Sequence, residues 1–179
     1  MAAIGSGDFE LTMDDLRVVA RYAAESAEDV LGLFEEPHPD DHRPRAAIEA
    51  AWTFVNGNHR SKVQRVTALD AHRAAHAAVH ESAKHAAHAA GDAAAAAYLH
   101  PLSKATQVGH ILRAAAHAAR AAELADDAAP GAGERSIERA RRRATPALVD
   151  VLGRYPLAPT GTNRVAQLMT TLDTSLRSP

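Results

Sequence analysis

The sequence contains no cysteine, and this absence excludes disulfides and thiolate metal sites. No apolar run approaches the ~18 residues that a membrane-spanning helix requires. The first residues also lack the cationic and then apolar pattern of a secretion signal. We therefore expect a cytoplasmic protein that has no membrane partner.

A strong positive charge is also missing, because the formal net charge is -2 at pH 7. The densest basic run lies at 135–144, where Arg141, Arg142 and Arg143 are consecutive. Consecutive residues point in different directions around a helix, whereas nucleic-acid binding needs one contiguous basic face. We therefore expect no nucleic-acid partner.

Sequence motifs for catalysis are absent as well. The chain holds no GxSxG nucleophile motif, no phosphate-binding Walker loop and no dinucleotide-binding glycine pattern. Serine, histidine and aspartate are present, but any helical protein of this size contains them. We name no catalytic residue, and the sequence favours a non-enzymatic protein without deciding the question.

Alanine is abundant, and it supplies about half of the hydrophobic residues, which make up 46% of the chain. Aromatic residues make up only 4%. A core of this composition forms between closely spaced helices with small side chains. Because no segment has the pattern of a strand, we predict an all-α fold, a single Ala-rich helical bundle of about six to seven helices.

The expected helices follow from apolar spacing and from capping residues. Thr12 should begin the first helix, which ends near Glu35 before two prolines. A nearly continuous helical stretch spans 61–99, and Gly91-Asp92 is its most probable break. The last part of the chain should contain a basic helix with Pro146 inside it, followed by an amphipathic helix.

The whole chain, 1–179, is predicted to form one domain. Residues 9–125 form its main part, and residues 126–133 have the composition of a linker. The C-terminal segment 134–179 should form a helix pair that packs on the rest.

The helix predicted over 102–124 carries polar residues opposite its apolar side. At 100° per residue, His110 and His117 lie nearly opposite the apolar cluster. A solvated polar face is the simplest interpretation, since a polar stripe requires no function. The alternative is a binding surface formed by Gln107, His110 and His117, with His100 contributing from across the break at Pro101.

A second histidine group consists of His72, His76 and His80, at positions i, i+4 and i+8. Two histidines four residues apart project from adjacent turns and can share one metal ion. Histidines at the edge of a packed face, with hydrogen bonds directed outward, are the commoner arrangement. The sequence leaves open a divalent metal site at these three residues and otherwise predicts no cofactor.

The segment RPRAAIEAAW contains the only tryptophan of the chain. Arg45 and Glu49 can pair on the helix surface, an interaction worth ~0.3–0.5 kcal/mol. Arg45 also lies seven residues before Trp52 and could stack on its ring. Either this is an ordinary solvated pair beside a tryptophan, or it is an Arg-Trp anchor of the kind that dominates binding energies at interfaces.

Four segments resemble the Imm-5-like immunity proteins of bacteria. They are FELTMDDLRVVARYAAE, RPRAAIEAAWTFVNG, the AHRAA around His72, and AAYLHPLSKATQVGHIL, of which the last is the most distinctive. The resemblance extends from Phe9 to Leu124. It implies an all-helical, cytoplasmic protein that binds a cognate toxin and neutralises it by occlusion.

The resemblance supplies no established catalytic residue. It makes candidates of the residues within the matching motifs, and Trp52 and His117 join them from the two helix faces described above. The candidate binding residues are Arg43, Arg45, Glu49, Trp52, Tyr98, His100, Gln107, His110 and His117.

Three functions remain open at this point. The first is an immunity protein whose partner is a toxin. The second is a histidine-rich metal-binding protein or enzyme, which requires His72, His76, His100 and His110 to converge between facing helices. The third is a small-ligand-binding protein of a biosynthetic or resistance cluster, with an apolar pocket between thin helices. Exposed apolar stripes also favour a homodimer.

Overall fold

The structure is a computed structural model that describes residues 7–125 and 127–178. Residues 1–6, on which the prediction of no secretion signal partly rests, lie outside the described residues. The same is true of Asp126, at the start of the predicted linker, and of Pro179.

The described residues form an all-α fold without a strand, as predicted. They contain nine α-helices, more than the predicted number, and two short 3-10 turns at Ala96–Tyr98 and Ala105–Gln107. The helices are α1 (Met13–Glu28), α2 (Leu31–Glu35), α3 (Arg43–Val55), α4 (Lys62–Ala77), α5 (Glu81–Ala95), α6 (Val108–Leu124), α7 (Ala132–Arg143), α8 (Pro146–Gly153) and α9 (Arg164–Arg177).

The first predicted helix is divided in two. Thr12 caps α1 as expected, and its hydroxyl accepts a hydrogen bond from the N–H of Asp15 at 3.1 Å. The helix ends at Glu28, however, and a turn at Asp29 and Val30 precedes α2. This turn allows the short α2 to pack against α5, a tertiary contact that apolar spacing along one helix does not reveal.

The break in the long helical stretch lies elsewhere than predicted. Ala78 and His80 are extended, and they separate α4 from α5, while Gly91 and Asp92 lie inside α5. A Cβ at position 91 would meet the His72 ring at 2.8 Å and the carbonyl oxygen of Ala68 at 3.0 Å. The glycine is therefore required for the close approach of α4 to α5 and does not end a helix.

The C-terminal part of the chain forms three helices where a pair was predicted. The basic helix α7 ends at Arg143, and Pro146 begins a separate helix, α8, that Thr145 caps. Proline suits the first turn of a helix because its missing N–H has no helical partner there. Proline is unfavourable further inside a helix, where it removes a backbone hydrogen bond.

Helices α5 and α6 occupy the centre of the fold. The first contacts α1, α2, α3, α4 and α6, and the second contacts α1, α5, α7 and α9. Most buried residues of both helices are alanines, which allow the backbones to approach closely. Outside residues 1–6, 126 and 179, no helix is both long and apolar enough to cross a membrane.

The C-terminal helices are fixed to α1 by polar contacts. The Tyr22 hydroxyl donates to the carbonyl oxygen of Ala140 at 3.2 Å. Arg143 pairs with Asp29 at 2.8 Å, and Arg154 pairs with Asp15 at 2.9 Å. Helices α7 and α8 therefore depend on side chains from the beginning of the chain.

Candidate functional site

A surface cleft opens between α4, the 3-10 turn at Ala96–Tyr98 and the beginning of α6. Its volume is about 320 Å³. It contains three of the predicted binding residues, together with His72 of the predicted metal site. The lining residues are Arg65, Ala68, Leu69, His72, Ala95, Tyr98, His100 and His110.

Tyr98 is fixed at the edge of this cleft. Its hydroxyl donates to the carbonyl oxygen of Ser61 at 2.7 Å. The guanidinium groups of Arg60 and Arg65 lie 5.1 Å and 4.8 Å from the centre of its ring. Both distances are typical of cation–π contacts, so one aromatic ring holds two positive charges in place.

His100 and Gln107 are joined across Pro101. The backbone N–H of His100 donates to Oε1 of Gln107 at 3.0 Å. The Tyr155 hydroxyl donates to the carbonyl oxygen of His100 at 2.9 Å. These bonds fix the backbone and leave the His100 side chain exposed at the cleft.

His110 lies deeper in the cleft and is neutral at pH 7, since burial lowers its pKa. Its Nδ1 lies 3.1 Å from the carbonyl oxygen of Ala95. A carbonyl only accepts, so Nδ1 carries the proton and Nε2 remains an acceptor. The inner end of the cleft therefore adds a hydrogen-bond acceptor and no charge.

His117 does not belong to the same surface as His110, contrary to the sequence interpretation. It faces α5, where its Nδ1 lies 2.8 Å from Nδ1 of His85. In the same way, Nδ1 of His72 lies 2.9 Å from Nδ1 of His88. The rings of His88 and His117 are stacked, with 5.1 Å between their centroids. We call His72, His85, His88 and His117 the histidine seam, because they join α4, α5 and α6.

Asp92 of α5 lies behind the seam and is only 2% exposed. Its Oδ1 accepts a hydrogen bond from Nε of Arg113 at 3.0 Å, and Nη2 of the same guanidinium lies 2.9 Å from it in an ion pair. Nε2 of His72 lies 3.9 Å from Oδ1, and Nε2 of His117 lies 3.7 Å from Oδ2. Oδ2 has no hydrogen-bond partner among the described residues. One guanidinium thus compensates the buried carboxylate, which uses only one of its two oxygens.

All four imidazoles of the seam are neutral at pH 7. Burial, followed by the neighbouring His117, lowers the pKa of His88 to about 4. Burial, followed by His85, lowers the pKa of His117 to about 3. Burial also lowers the pKa of His72 and His85. The separations between imidazole nitrogens and Asp92 are therefore not ion pairs, and each Nδ1 pair consists of one donor and one acceptor.

The predicted metal site is wrong as a set of three residues. His80 lies in the connection before α5, so it does not share a helix face with His72 and His76. Within the described ranges, no group of three or more histidine, aspartate or glutamate side chains is arranged to hold a metal ion. At Asp92, Arg113 already supplies the positive charge that a metal ion would bring.

The predicted pair of Arg45 with Glu49 on α3 is also wrong. Arg45 forms two hydrogen bonds of 2.6 Å with Glu35 of α2. Glu49 is exposed, and Arg43 pairs with Asp41 in the preceding loop at 2.6 Å. Arg43 and Arg45 therefore pair with carboxylates that precede α3 in the chain.

Trp52 does not stack with Arg45 either. Its Nε1–H donates to Glu28 at 2.6 Å, and the guanidinium group of Arg21 lies 5.4 Å from its ring. The tryptophan therefore joins α3 to α1. Its contacts within the chain weaken the hypothesis of an Arg-Trp anchor for a partner.

A larger cavity, of about 490 Å³, lies where His85 and His117 meet the beginning of α9. Arg113, Arg120 and Arg164 line it. Arg113 pairs with Asp92, while Arg120 and Arg164 both pair with Glu123. Because its cations are compensated, this cavity is a weaker candidate for ligand binding than the cleft beside Tyr98.

Sequence reasoning did not identify several residues that shape these two regions. Asp92 could have been noticed as a carboxylate within a long run of alanines, where a charge needs a partner. Arg60 and Arg65 gave no signal, since their importance depends on Tyr98, which lies more than thirty residues away on the chain. His85 and His88 lie beyond the histidine group that the sequence analysis describes, and they were not assigned to its site.

The chain matches a family model over residues 10–146, under the description Imm-5 like putative immunity protein. The matched segment includes the cleft and the whole histidine seam, and it ends at the first residue of α8. Comparisons with curated proteins and with solved structures found no match. Because the family model covers well over half of the chain, the protein belongs to the Imm-5 like putative immunity protein family.

Proposed function

We propose that this protein binds a cognate bacterial toxin and neutralises it by covering the toxin's active surface. The family to which the chain belongs carries the description Imm-5 like putative immunity protein, and binding of a toxin is the action that the sequence resemblance implied. One structural observation indicates which surface of the protein would bind the toxin. Three residues of the most distinctive motif line one open cleft and are not buried in the core. They are Tyr98, His100 and His110.

The surroundings of the cleft suit a protein partner. Val66 and Leu69 of α4 are 49% and 51% exposed beside it. Protein interfaces combine exposed apolar groups with tyrosine and arginine, as Tyr98 and Arg65 do here. We call Arg60, Lys62, Arg65, Val66, Leu69 and Tyr98 the α4 face, and we propose it as the centre of the toxin interface.

The first experiment tests neutralisation itself. Toxins encoded beside the gene would be assayed with increasing amounts of the purified protein, and complex formation would be followed by size-exclusion chromatography. We expect one toxin to lose its activity at an equimolar ratio. Full toxin activity in an excess of the protein, for every toxin tested, would contradict the proposal.

A matched pair of variants tests the surface. Val66→Asp places a charge in the α4 face, whereas Val79→Asp places the same charge on a valine that is 83% exposed in the connection before α5. Neither change disturbs the core. We expect Val66→Asp to abolish neutralisation and Val79→Asp to retain it, and equal neutralisation by both variants would place the interface elsewhere.

A small ligand is the second candidate for the cleft. The observation in its favour is the volume of about 320 Å³, at the lower end of the range for ligand pockets. Alanine side chains and neutral imidazoles line its inner part. A compound that binds in the cleft and leaves toxin neutralisation unchanged would favour this second function.

Two further expectations from the sequence stay predictions. They are the cytoplasmic location and the homodimer. Sedimentation at several concentrations would test the second, and we expect the α4 face to remain accessible in the species that neutralises toxin.

A further inference from the structure

Among the described residues, the positive charges of the α4 face have no carboxylate partner. No carboxylate of the described segments lies within 4.0 Å of the charged nitrogens of Arg60, Lys62 or Arg65. Most other arginines and lysines of the described residues pair with a carboxylate, as when Arg141 and Arg142 share Glu138 at 2.7 Å, whereas Arg21, Lys104 and Arg135 do not. In the described part of the chain, the arginine of α4 that pairs with a carboxylate is Arg73, whose partner Asp70 follows Leu69 further along the helix.

These unpaired cations are also held close to one another. Arg60 and Arg65 contact the same ring, that of Tyr98, while Arg60 donates to the carbonyl oxygen of Ala97 at 3.1 Å. Lys62 and Arg65 are three residues apart on α4, so their side chains are neighbours on the helix surface. Bringing like charges together costs free energy unless a negative charge compensates them.

Apolar groups lie directly beside the cations. Val66 and Leu69 are half exposed on the same helix, and the cleft behind them is lined by Ala68 and Ala95. Its inner imidazole, His110, is neutral. The face therefore has a cationic rim and an uncharged, largely apolar floor.

We propose that the α4 face recognises a carboxylate attached to an apolar group, with the carboxylate at Lys62 and Arg65 and the apolar part over Val66 and Leu69. On a protein partner this is an acidic residue beside an aliphatic side chain. The inference rests on the proposed function for the identity of the partner as a toxin. The recognition chemistry rests on the charges and exposed side chains of this chain alone.

A small probe tests that chemistry without a toxin. The intact protein, labelled with nitrogen-15, would be titrated with octanoate, and amide shifts would be recorded by NMR. Octanol, with the same tail and no carboxylate, serves as the comparison. We expect saturable shifts confined to α4 and the cleft with octanoate, and at least about tenfold weaker binding of octanol.

Matched variants separate specific binding from general charge effects. Lys62→Gln with Arg65→Gln removes two positive charges from the α4 face, and Arg141→Gln with Arg142→Gln removes two from α7. The first pair should weaken octanoate binding by about tenfold, and the second should leave it within twofold. Shifts scattered over the surface, or equal effects of both pairs, would overturn the proposal.

The second measurement is the affinity of the protein for a toxin. For a toxin that the protein neutralises, Lys62→Glu with Arg65→Glu should weaken the complex by about 100-fold, and Arg141→Glu with Arg142→Glu should change it less than threefold. If the wild-type protein neutralises the toxin and both double variants bind equally, this inference fails while the proposed function stands. If no toxin is neutralised, the proposed function fails and the octanoate titration decides the inference.

Discussion

The two sides of helix α4 differ in whether the charged groups beside them have partners of opposite charge. On the inner side, His72 joins a seam of neutral imidazoles, and the buried carboxylate behind that seam, Asp92 of α5, is compensated by Arg113. On the outer side, Lys62 and Arg65 have no carboxylate near them among the residues described. The polar groups of the inner side contact one another, and the outer side is available to a partner.

Because of this difference, residues that are close in sequence should affect different properties, folding stability on the inner side and binding on the outer side. Changes on the inner side should alter the free energy of unfolding, because a buried polar group that loses its partner keeps its full desolvation cost. Changes on the outer side should alter binding, since exposed charges contribute little to folding.

The largest effect on stability is expected from Arg113→Met. It leaves Asp92 buried without a cation, and breaking a buried ion pair in this way costs about 3 kcal/mol. The figure is at the low end of the usual range because the Arg113 side chain is 43% exposed. Urea denaturation followed by circular dichroism would measure the change.

The double variant Arg113→Met with Asp92→Asn is the control for this effect. It removes both charges, so it should be more stable than Arg113→Met alone. A double variant that is no more stable than the single one would show that Asp92 does not depend on Arg113 for compensation.

A smaller loss is expected from Gly91→Ala. The added methyl group would lie 2.8 Å from the His72 ring and 3.0 Å from the carbonyl oxygen of Ala68, so α4 must move away from α5. Overpacking of this kind costs about 1–3 kcal/mol. Thermal or urea unfolding would measure the loss.

Gly32→Ala provides the comparison for this variant. No atom lies within 4 Å of a Cβ at position 32, and the residue lies in the short helix α2. This change should be neutral or stabilising by about 0.5–1 kcal/mol, because alanine is the better helix former. Equal destabilisation by the two variants would contradict the close approach that we assign to Gly91.

The seam should also make stability depend on pH. His88 has a pKa of about 4 in the folded protein, below its ordinary value of 6.5. Between these values the unfolded chain binds more protons, so the free energy of unfolding falls as pH is lowered from 6.5 toward 4. Above pH 6.5 this contribution is constant.

Urea midpoints at pH 7, 5 and 4 would measure the effect, and His88→Asn is the matched variant. Asp92 and the imidazoles of His72, His76 and His117 face His88 and remain in the variant. The midpoint of the variant should therefore fall less steeply than that of the wild-type protein. Parallel curves would show that His88 is not responsible for the loss.

The smallest change in stability is expected on the outer side. Lys62→Gln with Arg65→Gln should shift the free energy of unfolding by less than about 1 kcal/mol, because these exposed charges have no carboxylate partner among the described residues and Arg65 loses only an exposed cation–π contact with Tyr98. The same urea experiment measures it. A loss of more than about 1 kcal/mol would show that the α4 face is part of the folded core and not a free surface.

The sequence predicted the class of the fold and several helix boundaries. Thr12 as a cap and the amphipathic α9 follow from local rules of capping and spacing. The roles predicted for Gly91 and Pro146 were wrong, because glycine and proline each occur in two kinds of position. Glycine permits close packing as well as chain breaks, and proline begins helices as well as interrupting them.

The candidate site was predicted only in part. Tyr98, His100 and His110 were singled out by resemblance, and the structure places them in one cleft. His117 was assigned to the same surface because a helical wheel shows which residues share a side but not what lies opposite that side. Arg60 and Arg65 were missed, since their positions around Tyr98 depend on the packing of α4 against the 3-10 turn.

The sequence by itself determined that this protein is helical, that its core is built mainly from alanine, and that its distinctive residues are few. Helical periodicity and capping act over four or five residues, and they can be recognised without knowing the rest of the molecule. Only the tertiary structure decided which of the polar residues meet one another. The partners of His72, Asp92 and Trp52 come from other helices, so their separation in sequence carries no information about their contacts. The same packing left Lys62 and Arg65 without a carboxylate partner in the part of the chain that the structure describes, and that is why we propose that the α4 face binds another molecule.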